Sequence, residues 1–352
     1  MNTADIAIVG GGIVGAVVAR QAAAAWPAAD IAVLERGLIG QGASSRSAGV
    51  HFPRGATEQI RSMSIQSDRY WRDAAAELDL PLRQVNAIVV AAAGSTRAVQ
   101  AAYLHLGEQT AAADPARGWT APPGASAWTL HGCHYADVGA VAQRILTELR
   151  GRVSIWEGSE VVAIEPGEDQ RLVLGHGAEL RARRVVLCPG PWIAHPAWAG
   201  LVAPLGVRVK KIVAAHIEAV PDPDDRLAVF HDEDAFLLPV HHRGHLLFSY
   251  TCQTWDVDPD TVGPGLTRAD LDDARAVLER YSPELASQCR SGRVFCDAYS
   301  PPREPVITEL RPGLVFAGAA NGSGYRLAPA IASRALTYLD PASTPSPALH
   351  RS

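Results

Sequence analysis

The feature that most limits what this chain can fold into is a run of glycines between two apolar segments. The stretch AIVGGGIVGAVVARQ, Ala7–Gln21, contains four glycines, three of them consecutive. Glycine weakens the interior of a strand or a helix, so this concentration indicates a turn that side chains would obstruct. Apolar β-branched residues precede the turn, and an alanine-rich segment follows it. The pattern predicts a buried strand, a tight turn and a helix.

The glycines follow the spacing Gly10-x-Gly12-x-x-Gly15, and the apolar segment DIAVLER, Asp30–Arg36, predicts the next strand. A strand–helix–strand unit with this spacing binds the diphosphate of a dinucleotide. Gly10 permits the turn, Gly12 lets backbone N–H groups approach the phosphates, and Gly15 brings the helix close to the strand. Unpaired N–H groups at the start of the helix would hold the negative charge.

Glu35 lies 20 residues beyond Gly15, at the end of the second predicted strand. A carboxylate there accepts hydrogen bonds from a ribose and disfavours a 2′-phosphate, so the residues favour FAD or NAD over NADP. The segment GLIGQGASSRSAG, Gly37–Gly49, adds a loop of small and hydroxyl residues that would lie against phosphates and a bulky ring.

A second glycine-rich segment, GLVFAGAANGSGYRLAPA, Gly313–Ala330, predicts a strand, a loop and a helix that begins near Leu327. The positive end of that helix would lie beside the N1–C2=O edge of a flavin, which becomes anionic on reduction. An NAD enzyme has no need of this element, so FAD is the expected cofactor.

The composition excludes several classes of protein. The chain has 352 residues, and its formal net charge is −5, from 32 basic and 37 acidic side chains. This balance predicts no nucleic-acid partner and no polybasic membrane patch. The five cysteines show no C-x-x-C spacing, and the 12 histidines are scattered, so we expect free thiols and no metal centre.

The apolar run Ile6–Ala19 is shorter than the roughly 20 residues that span a bilayer, and Asp5 precedes it where a signal peptide would carry basic residues. We therefore expect a cytoplasmic protein with no membrane span. Elsewhere, the periodicity predicts helices over 57–78, 137–149 and 270–281, and strands over 153–166, 171–180, 183–190 and, repeatedly, 206–251. The segments AAAGS near Ala91 and APPGAS near Ala121 predict loops.

Four segments together resemble the D-amino-acid oxidase superfamily of flavoproteins, in its glycine oxidase and sarcosine oxidase branch. They are AIVGGGIVGAVVA, LERGLIGQGASSRSAG, RRVVLCPGPWI and GLVFAGAANGSGYRLAPA, which occur from end to end in the family's order. The first is common to many flavoproteins, whereas the second and fourth together are more specific. The resemblance implies an α/β fold, in which a Rossmann-type FAD-binding domain is interleaved with an α+β substrate domain built on a large, mostly antiparallel sheet.

By this resemblance the FAD-binding domain would comprise 1–80, 135–200 and 300–340, and the substrate domain 81–134 and 201–299, with a flexible tail over 341–352. The implied contacts to the adenosine, diphosphate and ribityl parts of FAD are Gly10, Gly12, Ile13, Val14, Gly15, Glu35, Arg36, Ser44, Ser45, Arg46, Ala48 and Gly49. Val161 or Val162 would meet the adenine through its backbone, and Gly190 would close the third motif. The implied contacts to the flavin pyrimidine edge are Gly322, Gly324, Tyr325, Arg326 and Leu327.

Enzymes of this family oxidise the C–N bonds of amines and amino acids. The resemblance therefore implies transfer of a hydride equivalent from a neutral amine to flavin N5, hydrolysis of the resulting imine, and reoxidation of the flavin by O2 to give H2O2. Three alternatives stay open: a dehydrogenase that passes electrons to a carrier or quinone, a nucleotide-binding protein without catalysis, and an aromatic hydroxylase. The hydroxylase is disfavoured because its GD signature is missing before the last helix.

The chain departs from the glycine oxidase branch at the residue expected to bind the substrate carboxylate. That branch has an Arg-Pro dipeptide shortly before the last strand, and the matching segment here is CDAYSPPREPVI, Cys296–Ile307. The aligned dipeptide, Asp297-Ala298 or Ser300-Pro301, contains no arginine. Arg54 is our first substitute candidate, Arg326 the second and Arg303 the third. A larger or N-substituted amino acid is therefore the expected substrate.

Further candidates each have an ordinary structural alternative. His51 follows the flavin loop and would reach the flavin or the substrate, or else pack as a structural histidine. Phe236, Tyr250 and Cys252 lie on strands that face the substrate in relatives, and Lys210 or Lys211 would place an ammonium near flavin N5. A cysteine before a Tyr-Thr dipeptide carries a covalent flavin in the sarcosine oxidase branch. Cys296 is one residue out of that register, so non-covalent FAD is expected and a covalent link stays open.

Overall fold

The computed structural model describes residues 2–111 and 119–339, which form two compact units. The first unit comprises 2–42, 141–207 and 298–339, and the second comprises 43–111, 119–140 and 208–297. The sequence-based bounds of an FAD-binding domain had included 43–80, whereas these residues pack in the second unit. The predicted flexible tail, 341–352, lies outside the described residues.

The secondary structure alternates between the two units along the chain. The strands are β1 Asn2–Val9, β2 Ile31–Leu34, β3 Val50–His51, β4 Leu82–Gln84, β5 Ala87–Ala91, β6 Leu106–Ala111, β7 Ser126–Leu130, β8 His134–Ala136, β9 Ser154–Trp156, β10 Val161–Glu165, β11 Gln170–Leu174, β12 Glu179–Leu187, β13 Arg208–Ile217, β14 Leu227–Phe230, β15 Ala235–Val240, β16 His245–Tyr250, β17 Cys289–Tyr299, β18 Val306–Arg311 and β19 Leu314–Gly318. The helices are α1 Ile13–Ala25, α2 Ala43–Arg46, α3 Glu58–Leu78, α4 Thr96–Ala102, α5 Val138–Glu148, α6 Ala199–Val202, α7 Arg268–Leu278, α8 Pro283–Gln288 and α9 Gly324–Thr337.

The sheet of the first unit has a parallel centre in the order β9-β2-β1-β12-β19. Antiparallel strands extend it, with β11 and β10 beyond β12, and β18 beyond β19. All four residues of β2 are buried, as expected for a parallel strand that is covered on both faces. Helix α1 connects β1 to β2 and packs against α9, so both glycine-rich loops belong to this unit.

The second unit is built on a sheet in the order β17-β13-β16-β15-β14-β5-β7-β6. Its pairs are antiparallel, apart from the parallel pair of β14 with β5, among those whose register is defined. One face packs against α7 and α8 through residues such as Phe248 and Leu278. The opposite face carries Leu238 and Leu247. A small separate sheet has the order β3-β8-β4. The predicted fold class, with its large and mostly antiparallel sheet, is confirmed.

Two local predictions differ from the structure. The segment AAAGS, predicted as a loop, ends in a 3₁₀ turn over Ala93–Ser95, and helix α4, which was not predicted, begins directly after it. Helix α9 begins at Gly324, three residues before the predicted start near Leu327. In a helix that begins at Leu327, Pro329 would lie in the first turn, where its missing N–H costs nothing, but the structure tolerates Pro329 further inside the helix. The described residues include no helix that is long and apolar enough to cross a bilayer.

Candidate functional site

The turn after β1 has space for glycine alone at two positions. Gly10 has φ +109°, and a Cβ there would lie 2.3 Å from the carbonyl oxygen of Cys188. A Cβ on Gly15 would lie 1.9 Å from the carbonyl oxygen of Gly10. Gly12 occupies the N-cap of α1 and has no side chain to cap the helix. The backbone N–H groups at this end of α1 are therefore suited to an external anion.

Glu35, at the end of β2, stabilises this turn through hydrogen bonds. Its two carboxylate oxygens accept hydrogen bonds from the backbone N–H groups of Gly11 and Gly37, each at 2.8 Å. The carboxylate is thereby fixed at the carboxyl end of the parallel strands, where nucleotides bind in folds of this class. Its contact with a ribose stays a prediction.

The third motif, PGPWI, contributes a residue that the sequence analysis did not select. The Trp192 ring lies 4.1 Å from the guanidinium carbon of Arg36, which gives a cation–π contact. A Cβ on Gly42 would lie 3.1 Å from the same ring, so Trp192 packs closely against the loop that follows β2. Gly190, just before it, has φ +58°. Trp192 therefore packs Arg36 and the loop after β2 against the segment that contains Gly190, within the first unit.

Of the two valines proposed to meet the adenine, Val162 has the backbone position that suits a ligand. The pairing of β10 with β11 shifts register between Val161 and Ala163, so Val162 is displaced from the ladder. Its side chain is 41% exposed, whereas that of Val161 is 3% exposed. A bulge of this kind presents a peptide group that the ladder does not use.

The loop between β19 and α9 is held in an uncommon backbone conformation. Ala319, Asn321 and Gly322 all have positive φ, between +51° and +77°. The Asn321 side chain fixes the loop, because its Oδ1 accepts from the backbone N–H of Ser300 at 3.0 Å and its Nδ2 donates to the carbonyl of Ala319 at 2.8 Å. Left-handed residues that are not glycine are concentrated at functional sites. The Asn-Gly dipeptide was the sequence signal that would have identified Asn321.

The first turn of α9 contains the residues proposed for the flavin edge. Gly324 opens the helix, and Tyr325 and Leu327 are buried. Arg326 is also buried, and its Nη2 donates to Ser323 Oγ at 2.7 Å. Arg326 is thus oriented by its own helix cap, in the first unit. Arg303, the third arginine candidate, lies in an exposed turn with φ +56°.

In the second unit, Arg54 is the centre of a polar cluster. Its Nη1 lies 3.0 Å from Asp234 Oδ1, and its guanidinium carbon lies 5.5 Å from the centre of the Tyr103 ring. The hydroxyl of Thr251 donates to the other oxygen of Asp234 at 2.8 Å. We call Arg54, Tyr103, Asp234 and Thr251 the Arg54 cluster. Asp234, Tyr103 and Thr251 were not identified from the sequence.

The charges of this cluster stabilise each other. Burial alone would raise the pKa of Asp234, but the Arg54 charge, hydrogen bonds from Arg54 and Thr251, and the Lys210 charge lower that pKa below its usual value. Burial alone would lower the pKa of Arg54, but interactions with Tyr103 and Asp234 raise it. The pair therefore stays ionised at neutral pH, and any anion that binds to Arg54 meets the carboxylate of Asp234.

Alternation along the strands separates the remaining candidates between the two faces of the large sheet. Lys211 pairs with Asp270 of α7 at 2.6 Å, so it lies on the helix-covered face. Lys210 points to the other face, 5.0 Å from the centre of the Trp255 ring. Phe236 packs near Phe52 on that same opposite face.

Tyr250 and Cys252 do not join the Arg54 cluster. Both belong to the core under α7 and α8, and the hydroxyl of Tyr250 lies 3.4 Å from the carbonyl oxygen of Asp270. Burial raises the pKa of Tyr250, so the phenol stays protonated. The structure therefore places Tyr250, chosen from sequence as a catalytic candidate, on the opposite sheet face from Arg54. Its neighbour in the strand, Ser249, lies on the Arg54 side.

His51 has no exposed surface. Its ring stacks on that of His134 at 4.5 Å, and its Nε2 lies 3.7 Å from a carboxylate oxygen of Asp68. Burial lowers the pKa of His134 to about 4, so the stacked pair cannot carry two positive charges at neutral pH. These contacts favour the structural alternative for His51.

Cys296 is buried, and none of the five cysteines forms a disulfide. Burial, with a contribution from the Asp297 charge, raises the pKa of the Cys296 thiol to about 11. A thiol in this state is a poor nucleophile at neutral pH.

The loop after β2, whose residues are proposed to contact FAD, contains the short helix α2 with Ser44, Ser45 and Arg46. Further along this loop, Gly49 has φ +66°, and a Cβ there would lie 1.9 Å from the carbonyl oxygen of Ala136.

The residues present fit an FAD molecule. The glycine turn leaves open the space that a Cβ would fill, the start of α1 offers N–H donors, and Glu35 is a fixed acceptor beside them. A glycine turn on a parallel sheet, a second glycine loop before the last helix and a large antiparallel sheet together define an α/β flavoprotein. The sequence from residue 5 to residue 339 matches the family described as DAO, FAD dependent oxidoreductase, so the chain belongs to that family and is an FAD-dependent oxidoreductase.

Solved structures share this fold over nearly the whole chain. NikD, described as an unusual amino acid oxidase essential for nikkomycin biosynthesis, is 16% identical with a TM-score of 0.79, covering 98% of this chain and 95% of that one. Glycine oxidase from Geobacillus kaustophilus is 18% identical with a TM-score of 0.75, covering 96% and 95%. L-proline dehydrogenase from P. horikoshii is 15% identical with a TM-score of 0.79, covering 98% and 96%. No curated protein matches the sequence.

Proposed function

We propose that this protein oxidises the C–N bond of an amino acid, and of an N-substituted amino acid in particular. The observation that carries this proposal is the Arg54 cluster. It is a partly buried guanidinium whose charge is already balanced by a carboxylate, on the face of the large sheet opposite α7 and α8. The related structures that are described as amino acid oxidases support the same substrate class.

The chain's own residues divide the work of binding. The start of α1 would hold the diphosphate, Glu35 the ribose and the Val162 backbone the adenine, while the loop from Gly322 to Leu327 would lie at the pyrimidine edge. When bound, FAD accepts the two electrons and the hydrogen that the substrate C–H bond loses. Loss of the N–H proton to solvent leaves an imine, which water hydrolyses to a carbonyl compound and a free amine.

Arg54 is our candidate for the substrate carboxylate. A substrate carboxylate would either displace Asp234 from the guanidinium or bind beside it, and in both cases it meets the repulsion of that second carboxylate. The cost falls most heavily on the smallest substrates, which have few other contacts to offset it. This is the physical reason to expect a larger or N-substituted amino acid in preference to glycine.

The electron acceptor that we propose is O2, with H2O2 as the product. Lys210 supports this, because a buried ammonium on the Arg54 side of the sheet would stabilise negative charge on reduced oxygen. The raised pKa of Cys296 supports FAD that is held without a covalent bond. Five buried free thiols support a cytoplasmic location.

The test is anaerobic mixing of the FAD-loaded protein with a panel of amino acids, N-alkyl amino acids and simple amines. We expect the flavin absorbance to bleach with an N-substituted amino acid and to recover on admitting air, with one H2O2 formed per turnover. Bleaching without peroxide would indicate a dehydrogenase that uses a carrier or quinone. The proposal fails if no amino compound bleaches the flavin.

A further inference from the structure

A small cavity of about 20 Å³ lies in the second unit, where β15 turns into β16. It is lined by the sheet residues Val240, His245 and Leu247, by the loop around Ser47, and by basic side chains from two segments of the chain. The basic side chains are His242, Arg243, His245 and Arg293. We call this the basic cavity. Ser45 and Ala48 of the loop proposed to contact FAD also line it, but its basic side chains have no role in the proposed oxidation.

Arg293 is a partly buried cation whose hydrogen-bond partners among the described residues are neutral. Its Nε donates to the carbonyl of Arg46 at 2.7 Å and its Nη2 to the carbonyl of Ser47 at 3.1 Å. Its Nη1 lies 2.9 Å from His216 Nε2. Burial, with repulsion from Arg243, lowers the pKa of Arg293 to about 10, so it stays charged at neutral pH. The nearby carboxylate of Asp137 raises the pKa of Arg293 but is itself paired with Arg243, so an anion at Arg293 would lower the cost of removing this charge from water.

Asp137, the one carboxylate among the residues that line the cavity, already accepts hydrogen bonds from other groups. Asp137 Oδ2 accepts from Arg243 Nη2 at 2.6 Å, and its Oδ1 accepts from the backbone N–H of Ala140 at 3.2 Å, at the start of α5. One acidic and two guanidinium side chains therefore line the basic cavity, which leaves it with a surplus positive charge.

Two buried polar atoms of the cavity also have no hydrogen-bond partner among the described residues. They are Ser47 Oγ and His245 Nε2, which belong to residues that line it. Buried polar atoms are almost always satisfied, so two such atoms beside the same space indicate a bound water or ion. The surplus of positive charge favours the ion.

The histidines would serve as neutral donors at pH 7. Burial and the nearby arginines lower the pKa of His216 to about 4 and also lower the pKa values of His242 and His245. A neutral imidazole still carries one N–H group, which donates to an anion. A bound anion would favour the protonated form, so its affinity should rise as the pH falls.

From these contacts we infer that the basic cavity binds one small anion, of the size of a halide or of a single oxyanion group. The Arg54 cluster is distant from it, because Thr251 and His245 are separated by the length of β16, about 20 Å at 3.3 Å per residue. Arg293 holds the carbonyls of residues 46 and 47, which belong to the loop proposed to contact FAD. An anion at this point would therefore stabilise that loop.

The test is the thermal unfolding of the FAD-loaded protein in sodium chloride, bromide or phosphate, with sodium gluconate keeping the ionic strength constant. Gluconate is too large for the cavity. We expect Tm to rise and saturate with one of the small anions, more strongly at pH 6 than at pH 8. Arg243→Gln should weaken this binding about tenfold, as the loss of one charged contact does.

Arg208→Gln is the matched control. Arg208 is also a half-exposed arginine that is paired with an aspartate, Asp256, but it does not line the cavity. Its response to anions should equal that of the wild type. The inference is overturned if no small anion gives a saturable shift, or if the two variants respond alike. It is also overturned if only FAD-free protein binds the anion, since the basic groups would then belong to the cofactor site.

Discussion

At the level of single residues, the proposed cofactor and substrate sites depend on positions where one added atom or one lost charge would change binding. Gly10 and Gly15 each face a backbone oxygen that leaves no space for a methyl group. Arg54 and Asp234 form a pair whose two charges hold each other ionised. Both arrangements lead to predictions that single substitutions test.

Gly15→Ala should abolish FAD binding, because the added Cβ would lie 1.9 Å from the carbonyl oxygen of Gly10 and push α1 away from β1. The measurement is the flavin-to-protein absorbance ratio of the purified variant. Gly200→Ala is the control, since a Cβ on Gly200 meets no heavy atom within 4 Å. Equal flavin content in both variants would contradict the proposed diphosphate site.

Substitutions of Arg54 and of Asp234 should change the affinity for a carboxylate substrate in opposite directions. Arg54→Ala removes the guanidinium and should raise KM for the best amino acid about tenfold or more, as the loss of a charged hydrogen bond does. Asp234→Asn keeps the shape but removes the competing charge, so KM for carboxylate substrates should fall. Steady-state kinetics measures both changes.

Arg144→Ala, on the exposed side of α5 and paired with Glu148, is the control for the loss of an arginine. An unchanged KM in Arg54→Ala would show that another arginine binds the carboxylate. A higher KM in Asp234→Asn would show that Asp234 orients Arg54 instead of competing with the substrate.

Cys296 gives a third residue-scale prediction. Because its thiol has a pKa of about 11, acid denaturation should release all of the flavin into the supernatant. Cys296→Ser should release the same amount. Flavin that remains attached to the wild-type chain, but not to the variant, would establish a covalent link through Cys296.

At the scale of elements, helices α7 and α8 decide which strand residues are available for chemistry. They cover one face of the large sheet, so alternate residues of β16 divide between a helix-packed core and the Arg54 side. Helix α7 is itself anchored by a capping box between Thr267 and Asp270 and by the ion pair of Asp270 with Lys211.

The free energy of unfolding of the Asp270→Asn variant should depend less on pH than that of the wild type. Burial acts to raise the pKa of Asp270, but hydrogen bonds from Lys211 and Thr267 lower it below the usual value. The carboxylate therefore contributes stability above the unfolded pKa of about 4, and this contribution is lost as the pH falls below it. Urea unfolding at pH 7 and pH 3.5 should show a smaller difference for Asp270→Asn than for the wild type.

Asp272→Asn, on the exposed side of the same helix, should behave like the wild type. Its partners Arg268 and Arg275 lie at 3.5 and 3.8 Å from a carboxylate that is itself exposed, and such pairs contribute little to stability. If both variants showed the same change with pH, the buried position of Asp270 would not be the reason for the effect.

At the scale of the whole molecule, both glycine loops proposed to hold FAD belong to the first unit, while the Arg54 cluster belongs to the second. A ligand that binds only the folded chain stabilises it in proportion to the logarithm of its concentration. Removing FAD should therefore lower Tm, and adding FAD at 100 times its Kd should restore about 2.7 kcal/mol of unfolding free energy. A Tm independent of FAD would contradict the proposed cofactor site.

Local patterns predicted several elements of both units. The strand, turn and helix from β1 to α1 lie where the glycine spacing put them, and α3 and α5 agree with the predicted helices to within a residue or two. The start of α9 was less predictable because Pro329 lies inside the helix. Helix α4 was missed because AAAGS contains the residues of a turn, and the helix begins directly after it.

The glycine turn and the mixed architecture could be predicted from the sequence, because they depend on short-range sterics and on periodicity between neighbouring residues, and the family followed from four motifs that resemble it. Tertiary structure alone decided that Arg54 meets Asp234, 180 residues away, and that Tyr250 and Lys211 face the helices while Lys210 does not. It also brought Arg243 and Arg293 to one cavity. Such pairings depend on strand order and on which sheet face the helices cover, and neither is encoded in any local stretch of residues.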